Sequence, residues 1–319
     1  MGGATLSRRG LLAGALSFPL SSQQMILSGL EPLGEFGVHE GPAWHYELGL
    51  LCTGSGKIFR YSKDGKVSVF REQAGKPNGL LVDPMGRIVV CEQGERRLTR
   101  TEKDGSITVL AERYQGKRFN SPNDLSIDSK GRIYFSDPRY GPRGDMEMKE
   151  CVYRIDAPGV VSRVLEQEVD RPNGVLVSPK DEYLYVADNN NNTAGGARKL
   201  WRFRLKADGS VEAGSRKLIF DWGNARGPDG MKMDRTGRLF VAGGLNKPHP
   251  PHETADKLKA GIYVLSADGK LLQFLAVPLD EVTNCAFGGA DGKSLFITAG
   301  GTLFRSKASD PGWIPGRFA

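Results

Sequence analysis

Apolar residues in this chain come in short β-branched and aromatic runs, such as Leu50-Leu51-Cys52, Ile88-Val89-Val90-Cys91, Ile133-Tyr134-Phe135 and Leu239-Phe240-Val241. Polar turns punctuate them. Asp-Gly sits between strand-like runs at Asp64-Gly65, Asp104-Gly105, Asp208-Gly209 and Asp268-Gly269, the strongest short-range signal for a hairpin. No segment sustains the recurrence of an amphipathic helix. The punctuation itself repeats. Pro77-Asn78-Gly79 leads through Gly86-Arg87 into Ile88-Val89-Val90, and Pro122-Asn123-Asp124 leads through Gly131-Arg132 into Ile133-Tyr134-Phe135. The same frame opens at Pro172-Asn173-Gly174, Pro228-Asp229-Gly230 and Thr283-Asn284, with a variant at Glu40-Gly41-Pro42. Six copies at intervals of 38 to 56 residues, each holding three to four strands, predict an all-β, six-bladed β-propeller. The last copy has only about three strands before the chain ends, so a strand within residues 25–36 is expected to complete the last blade and close the ring. Residues 25–319 then form a single domain. Residues 244–259, with Pro248, Pro250 and Pro251, have no strand pattern and read as an insertion in the fifth blade, either a substrate lid or a plain surface loop.

In a propeller, equivalent residues of the innermost strands encircle one channel. The anchors Glu40, Asn78, Asn123, Asn173, Asp229 and Asn284 therefore predict a ring of two carboxylates and four amides, with no Lys, Arg or His. Hard oxygen donors with two negative charges suit one divalent cation of the Ca²⁺ or Mg²⁺ type. The nitrogen and thiolate ligands that Zn²⁺ prefers are missing from the ring. Any one Asn-Gly reads as a turn; the recurrence of amide or acid at one register in all six copies is what a turn alone does not require.

Composition adds bounds. The chain has 319 residues, 42 Gly and 18 Pro, which agrees with many turns and speaks against a helix bundle. The net charge of +7 is scattered, so it reads as solvated surface and predicts no nucleic-acid partner. Ser7-Arg8-Arg9-Gly10-Leu11-Leu12, followed by an apolar stretch to Leu20, resembles a twin-arginine export signal. Residues 1–24 are read as that signal or as a disordered tail, so the expected location is periplasmic or secreted, and cytoplasmic otherwise. The stretch is too short to span a bilayer. Cys52, Cys91, Cys151 and Cys285 are far apart and three lie in apolar runs, so buried free thiols are expected. His249-Pro250-Pro251-His252 lies in the insertion without obvious metal-binding partners. Asn189-Asn190-Asn191-Asn192-Thr193 reads as a polar loop, with contact to sugar hydroxyls as the alternative, and contains a glycosylation sequon relevant only to a eukaryotic secretory route.

Taken together, Glu40-Gly41-Pro42-Ala43-Trp44, Asn120-Ser121-Pro122-Asn123-Asp124, Asp137-Pro138-Arg139-Tyr140-Gly141, Arg171-Pro172-Asn173-Gly174, Gly227-Pro228-Asp229-Gly230 and Thr283-Asn284-Cys285-Ala286-Phe287-Gly288-Gly289 resemble the gluconolactonase/regucalcin (senescence marker protein) family. The resemblance covers nearly all of the chain after residue 35. It implies a six-bladed propeller that binds a divalent metal in its channel and hydrolyses sugar lactones. It also implies metal ligation by Glu40, Asn173 and Asp229, with Asn123 as a fourth ligand or substrate contact. Asp229 becomes the catalytic acid/base, and Arg118, Asn120, Asn123 and Tyr140 become candidates for holding substrate. The implied cation is Ca²⁺ first, with Mg²⁺ and Zn²⁺ as alternatives. The family's Arg-Phe-Asn stretch matches Arg118-Phe119-Asn120 by letter, whereas Asn123 matches by repeat register, and both alignments stay open. Gln93 stands where bacterial members commonly carry His.

The chemistry is coherent on its own terms. A cyclic ester needs its carbonyl polarised and a water activated, which one cation and one adjacent carboxylate can provide. Glu40 and Asp229 are the acids of the anchor ring, and no Gly-x-Ser-x-Gly nucleophile motif occurs. The competing readings are a hydrolase of other lactones or phosphotriesters on the same ring, a non-catalytic ligand-binding propeller, and a quinone-dependent sugar dehydrogenase, whose usual channel histidine has no counterpart in the ring.

Overall fold

The computed structural model describes residues 25–254 and 257–315; the export signal read at residues 1–24 lies outside them. Six four-stranded antiparallel sheets follow one another along the chain. Blade one runs Glu40–His45, Gly49–Gly54, Lys57–Tyr61 and Val67–Arg71, from the channel outward. Blade two is Pro77–Val82, Ile88–Glu92, Arg97–Thr101 and Ile107–Ala111; blade three is Leu125–Ile127, Ile133–Asp137, Cys151–Ala157 and Val160–Leu165. Blade four is Pro172–Val177, Tyr183–Asn189, Arg198–Arg204 and Lys217–Asp221; blade five is Met231–Met233, Leu239–Gly243, Gly261–Leu265 and Leu271–Ala276. Blade six takes Val282–Gly288, Ser294–Ala299 and Thr302–Ala308 from the end of the chain, and Leu27–Glu35 as its outermost strand. The innermost strand of blade one touches those of blades two and six, so the sheets form a closed ring. This is the six-bladed β-propeller. Among the described residues no helix is long and apolar enough to cross a membrane.

Each blade is sandwiched between two others, so its second strand is covered on both faces. That is why Gly49–Gly54, Ile88–Glu92, Ile133–Asp137 and Leu239–Gly243 are buried at every position and read as continuous apolar runs instead of alternating ones. A hydrophobic cluster fills each gap between neighbouring blades. Between blades five and six, Leu27 of the N-terminal strand packs in the same cluster as Phe240 and Phe287. That strand pairs antiparallel with the C-terminal one, from Leu27 opposite Ala308 to Glu35 opposite Thr302. Gln273 of blade five fastens it further: its Oε1 accepts the Ile26 and Leu27 N–H groups at 2.8 and 2.9 Å, and its Nε2 donates to the Leu27 carbonyl at 2.7 Å.

The repeated Asp-x-x-Gly-Arg turn between the first and second strands has a common mechanism. In Asp83-Arg87, Asp128-Arg132 and Asp234-Arg238 the Asp Oδ1 accepts the Arg backbone N–H, and Oδ2 accepts the Arg Nε at 2.6–2.7 Å. The glycine before the arginine adopts positive φ, +78°, +81° and +87° in the three turns, a conformation that side chains disfavour. The four cysteines are buried and free. Among its described residues, the insertion at residues 244–259 contributes no strand beyond an isolated bridge between His249 and Glu253. It is pinned at its described ends by Asn246, which donates to the Val277 carbonyl at 3.0 Å, and by the buried Arg198, which donates to the His252 carbonyl at 2.9 Å.

Candidate active site

All six anchors lie at the start of an innermost strand or just before it. The strand register breaks at this point in four blades, between Glu40 and Ala43, Pro77 and Leu80, Pro172 and Val175, and Val282 and Asn284. Such irregularities re-aim a side chain out of the sheet's alternation; here they turn the anchors toward the channel. The glycine after the anchor has a second duty. A Cβ at Gly41, Gly79, Gly174 or Gly230 would collide with the anchor residue of the next blade, Asn78, Asn123, Asp229 or Asn284 respectively. The Pro-Asn-Gly unit is therefore a packing device as well as a turn: it lets consecutive anchors approach one another around the ring.

The anchors are not equivalent. Asn284 is fully committed: its Oδ1 accepts the Cys285 N–H at 2.9 Å and its Nδ2 donates to Glu40 Oε2 at 3.0 Å. The Gly41 N–H donates to the same Glu40 oxygen at 2.9 Å, which leaves Oε1 for the channel. Asn173 donates through Nδ2 to the Tyr140 hydroxyl at 2.9 Å, leaving its carbonyl oxygen as an acceptor, and Tyr140 donates to the Asn189 carbonyl at 3.2 Å. Asp229 Oδ1 is buried and has no hydrogen-bond partner. Burial pushes the Glu40 carboxyl up to about 7, helped by the charge of Asp124. Burial, followed by the charge of Glu40, holds Asp229 well above the ordinary carboxyl range. Burial and then Asp229 raise the Tyr140 hydroxyl in the same way. Two acids held above their ordinary range by burial and by neighbouring acids, one with an orphaned buried oxygen, form an incomplete electrostatic arrangement that a cation would complete. Glu40, Asp229 and the Asn173 and Asn123 amides are hard donors, so the residues present fit a hard divalent ion. Among the described residues no three His, Cys, Asp or Glu side chains gather at metal-binding geometry, so the donor set must mix amides with the two carboxylates.

The substrate candidates separate. Asn123 is buried in the ring, its carbonyl accepting the Gly79 N–H at 2.7 Å, and Tyr140 bears on Asn173. Asn120 is not in the ring. It is fully buried, with its N–H on Asp137 Oδ2 at 2.8 Å and its amide on the Asp137 and Lys149 carbonyls. Phe119 beside it packs edge-on to Phe135 in the blade two–three core. Arg118 lies on a two-stranded ribbon of Arg113–Tyr114 and Lys117–Arg118, donating to the Glu95 carbonyl at 3.0 Å. The register alignment thus brings Asn123 to the channel, and the letter match brings Asn120 into the scaffold. The Asn189-Asn191 run is largely a brace: Asn189 Nδ2 donates to the Pro228 carbonyl at 2.7 Å and Asn191 Oδ1 accepts the Gly227 N–H at 2.8 Å. It steadies the turn that carries Asp229.

Two site residues escape the anchor pattern. Asp124 occupies the slot that is glycine in blades one, two, four and five. It is buried, its Oδ2 has no hydrogen-bond partner, and its charge acts on both Glu40 and Asp229. Lys232, three residues after Asp229, reaches Asn284 Oδ1 at 3.5 Å. Inside the anchor ring, then, stand a third acid and a cation. The visible signal for the first was the departure of Pro-Asn-Asp from Pro-Asn-Gly; nothing in the repeat marked the second.

The SMP-30/gluconolactonase/LRE-like family model matches residues 38–301, from just before Glu40 to just after the second strand of blade six. The chain belongs to this family. Within it, the gluconolactonase of Zymomonas mobilis is 30% identical over 295 residues, covering 83% of this chain and 77% of that one. The pentonolactonase of Haloferax volcanii is 26% identical over 275 residues, covering 82% and 81%. Among solved structures, a gluconolactonase of Xanthomonas campestris superposes with a TM-score of 0.73 at 31% identity, over 88% of this chain and 89% of that one. The matched span of the family contains all six anchors, with Asp124, Tyr140 and Lys232.

Proposed function

We propose that this protein is a metal-dependent hydrolase of sugar lactones, opening an aldonolactone such as gluconolactone to the free acid. The observation that carries the reading is the convergence of Glu40 and Asp229 on one channel with an Asp229 oxygen left buried and unpartnered. The names of the similar proteins, gluconolactonase and pentonolactonase, support the substrate class.

Glu40, Asn173, Asp229 and Asn123 would hold the divalent cation, Ca²⁺ before Mg²⁺ or Zn²⁺. When bound, the cation supplies Lewis acidity to the lactone carbonyl and lowers the pKa of a nearby water. Asp229 takes the proton from the attacking water. The water oxygen bonds to the carbonyl carbon, the ring C–O bond breaks, and Asp229 returns its proton to the leaving alkoxide as the new hydroxyl. The raised Asp229 pKa suits both halves of that cycle. Tyr140 and Asn173 hold one wall of the site through their mutual hydrogen bond, with the Tyr140 ring braced under the Arg171 guanidinium at 5.5 Å. The sugar hydroxyls would be met by the buried Asn123 from within the ring and by the half-exposed Tyr140. Export through the twin-arginine segment at residues 1–24 belongs to the same reading; fractionation of tagged protein in a bacterium with that export system tests it.

The test is a panel of aldonolactones assayed with the purified protein, after chelation and after return of Ca²⁺, Mg²⁺, Mn²⁺ or Zn²⁺ singly. The expected result is hydrolysis lost on chelation and restored by one of these ions. Full activity in protein shown by elemental analysis to be metal-free removes the metal, and no hydrolysis of any lactone removes the reaction.

A further inference from the structure

Glu40, Asp124 and Asp229 bring three acids to one channel, Asp124 buried and the other two half-buried, and two cations act on them. Arg226 acts on Asp229 from the rim, where its guanidinium also lies 3.6 Å from Glu253 and 3.9 Å from Glu281. Lys232 acts on Glu40 and Asp124 from inside. Its position follows from the strand. Met231 and Met233 are buried in the core between blades four and five, so alternation turns Lys232 to the opposite face, toward blade six. There its Nζ donates to the Met231 carbonyl at 3.1 Å and to Asn284 Oδ1 at 3.5 Å. Asn284 in turn donates to Glu40 Oε2 at 3.0 Å. One amide separates the ammonium from the Glu40 carboxylate.

Two effects of this lysine on a bound cation oppose each other. As a hydrogen-bond donor it helps to orient Asn284 and through it Glu40, which favours binding. At 3.5 Å that bond is long and weak, and the Cys285 N–H already fixes the same amide. As a charge it repels a divalent ion across a space partly shielded from water, where Coulomb interactions persist over several ångströms. Charge therefore outweighs orientation. We infer that Lys232 is the resident counter-cation of the channel: it offsets Glu40 and Asp124 in the metal-free protein and, by like charge, weakens the ring's hold on a divalent ion. The second half rests on the metal reading above; the first does not.

The full chain as wild type, Lys232→Met and Lys232→Arg, stripped with chelator, is titrated with Ca²⁺ by calorimetry and melted metal-free at mildly alkaline pH. Lys232→Met is expected to bind Ca²⁺ at least about tenfold more tightly than wild type, to melt lower without metal, and to recover on Ca²⁺ addition. Lys232→Arg, which keeps the charge, should stay within about threefold of wild type. Lys232→Gln serves if the methionine variant does not fold. Calcium affinity unchanged or weakened in a folded neutral variant overturns the inference. If wild type takes up no divalent ion at all, the metal reading fails separately, and metal-free melting decides the counter-cation: a neutral variant as stable as wild type overturns it.

Discussion

Asp229 and Glu40 owe their raised pKa values first to burial and then to neighbouring acids, yet of the two only Asp229 has an oxygen that is both buried and without a partner. On that difference rests the proposed role of Asp229 as the proton acceptor. Asp229→Asn keeps the shape and the buried hydrogen-bonding capacity but cannot accept a water proton; kcat on a responsive lactone should fall by about 10²- to 10⁴-fold with little change in melting temperature. Activity equal to wild type would remove Asp229 as the base. A second residue-scale prediction concerns Asp137, which holds the Asn120 and Ser121 N–H groups at 2.8 and 2.7 Å. Burial outweighs those two donors and pushes it from 3.8 up to about 7. A folded-state value above the unfolded one means the fold prefers the protonated acid. That contribution is complete below 3.8 and is lost as pH rises through about 7. Melting temperature in chelator should thus decline across this window, and Asp137→Asn should flatten the decline; an identical slope in the variant refutes the assignment. At this scale the repeat exposed every anchor, because register alone places a side chain on a propeller axis. Asp124 and Lys232 were hidden because a pattern of equivalent positions is blind to a residue that fills a slot in one blade only.

The strands were legible as elements because Asp-Gly turns and buried second strands leave strong local signals. The short inner strands Leu125–Ile127 and Met231–Met233 were legible only through the repeat frame, and the two-residue ribbon ahead of blade three left no such mark. The turn motif offers a direct test. Asp234 Oδ1 accepts the Thr236 and Arg238 N–H groups at 2.9 and 3.0 Å, and its Oδ2 holds the Arg238 Nε at 2.6 Å. Asp234→Ala removes a fully buried acceptor and leaves three partly buried donors without it, so denaturant unfolding should show a loss of about 1–3 kcal/mol. The same change at the exposed Asp268, whose turn has no such arginine, should cost far less. The N-terminal strand makes the sharper case. A chain beginning at Met25 retains the outermost strand of blade six; one beginning at Gly37 loses Leu27 from the blade five–six core and exposes the edge of Thr302–Ala308. Exposed edges invite aggregation, so the shorter chain should melt markedly lower and associate on concentration. Matching melting curves for the two would show that the strand is dispensable.

Over the whole molecule, the cation proposed for the channel would be a long-range contact. Its ligands come from positions 40, 123, 173 and 229, at the inner ends of blades one, three, four and five. Without it, the ring is held by the apolar clusters between blades, by the paired chain ends, and by backbone bonds such as Gly79 N–H to the Asn123 carbonyl at 2.7 Å and Gly230 N–H to the Thr283 carbonyl at 2.7 Å. Those contacts join every pair of neighbouring blades, so chelation is expected not to unfold the protein at room temperature. An ion that binds only the native state adds RT ln(1 + [L]/Kd), about 2.7 kcal/mol at one hundred times Kd, which for a domain of this size corresponds to a melting shift on the order of 5 °C. The shift and the lactonase activity should appear together over the same range of free Ca²⁺, because one site carries both. Glu40→Gln, which keeps the hydrogen bonds to Gly41 and Asn284 but removes a charge, should move both curves to higher Ca²⁺ by the same factor. Curves that part company, with stabilisation at one concentration and activity at another, would mean that the ion that steadies the ring is not the one that serves the chemistry.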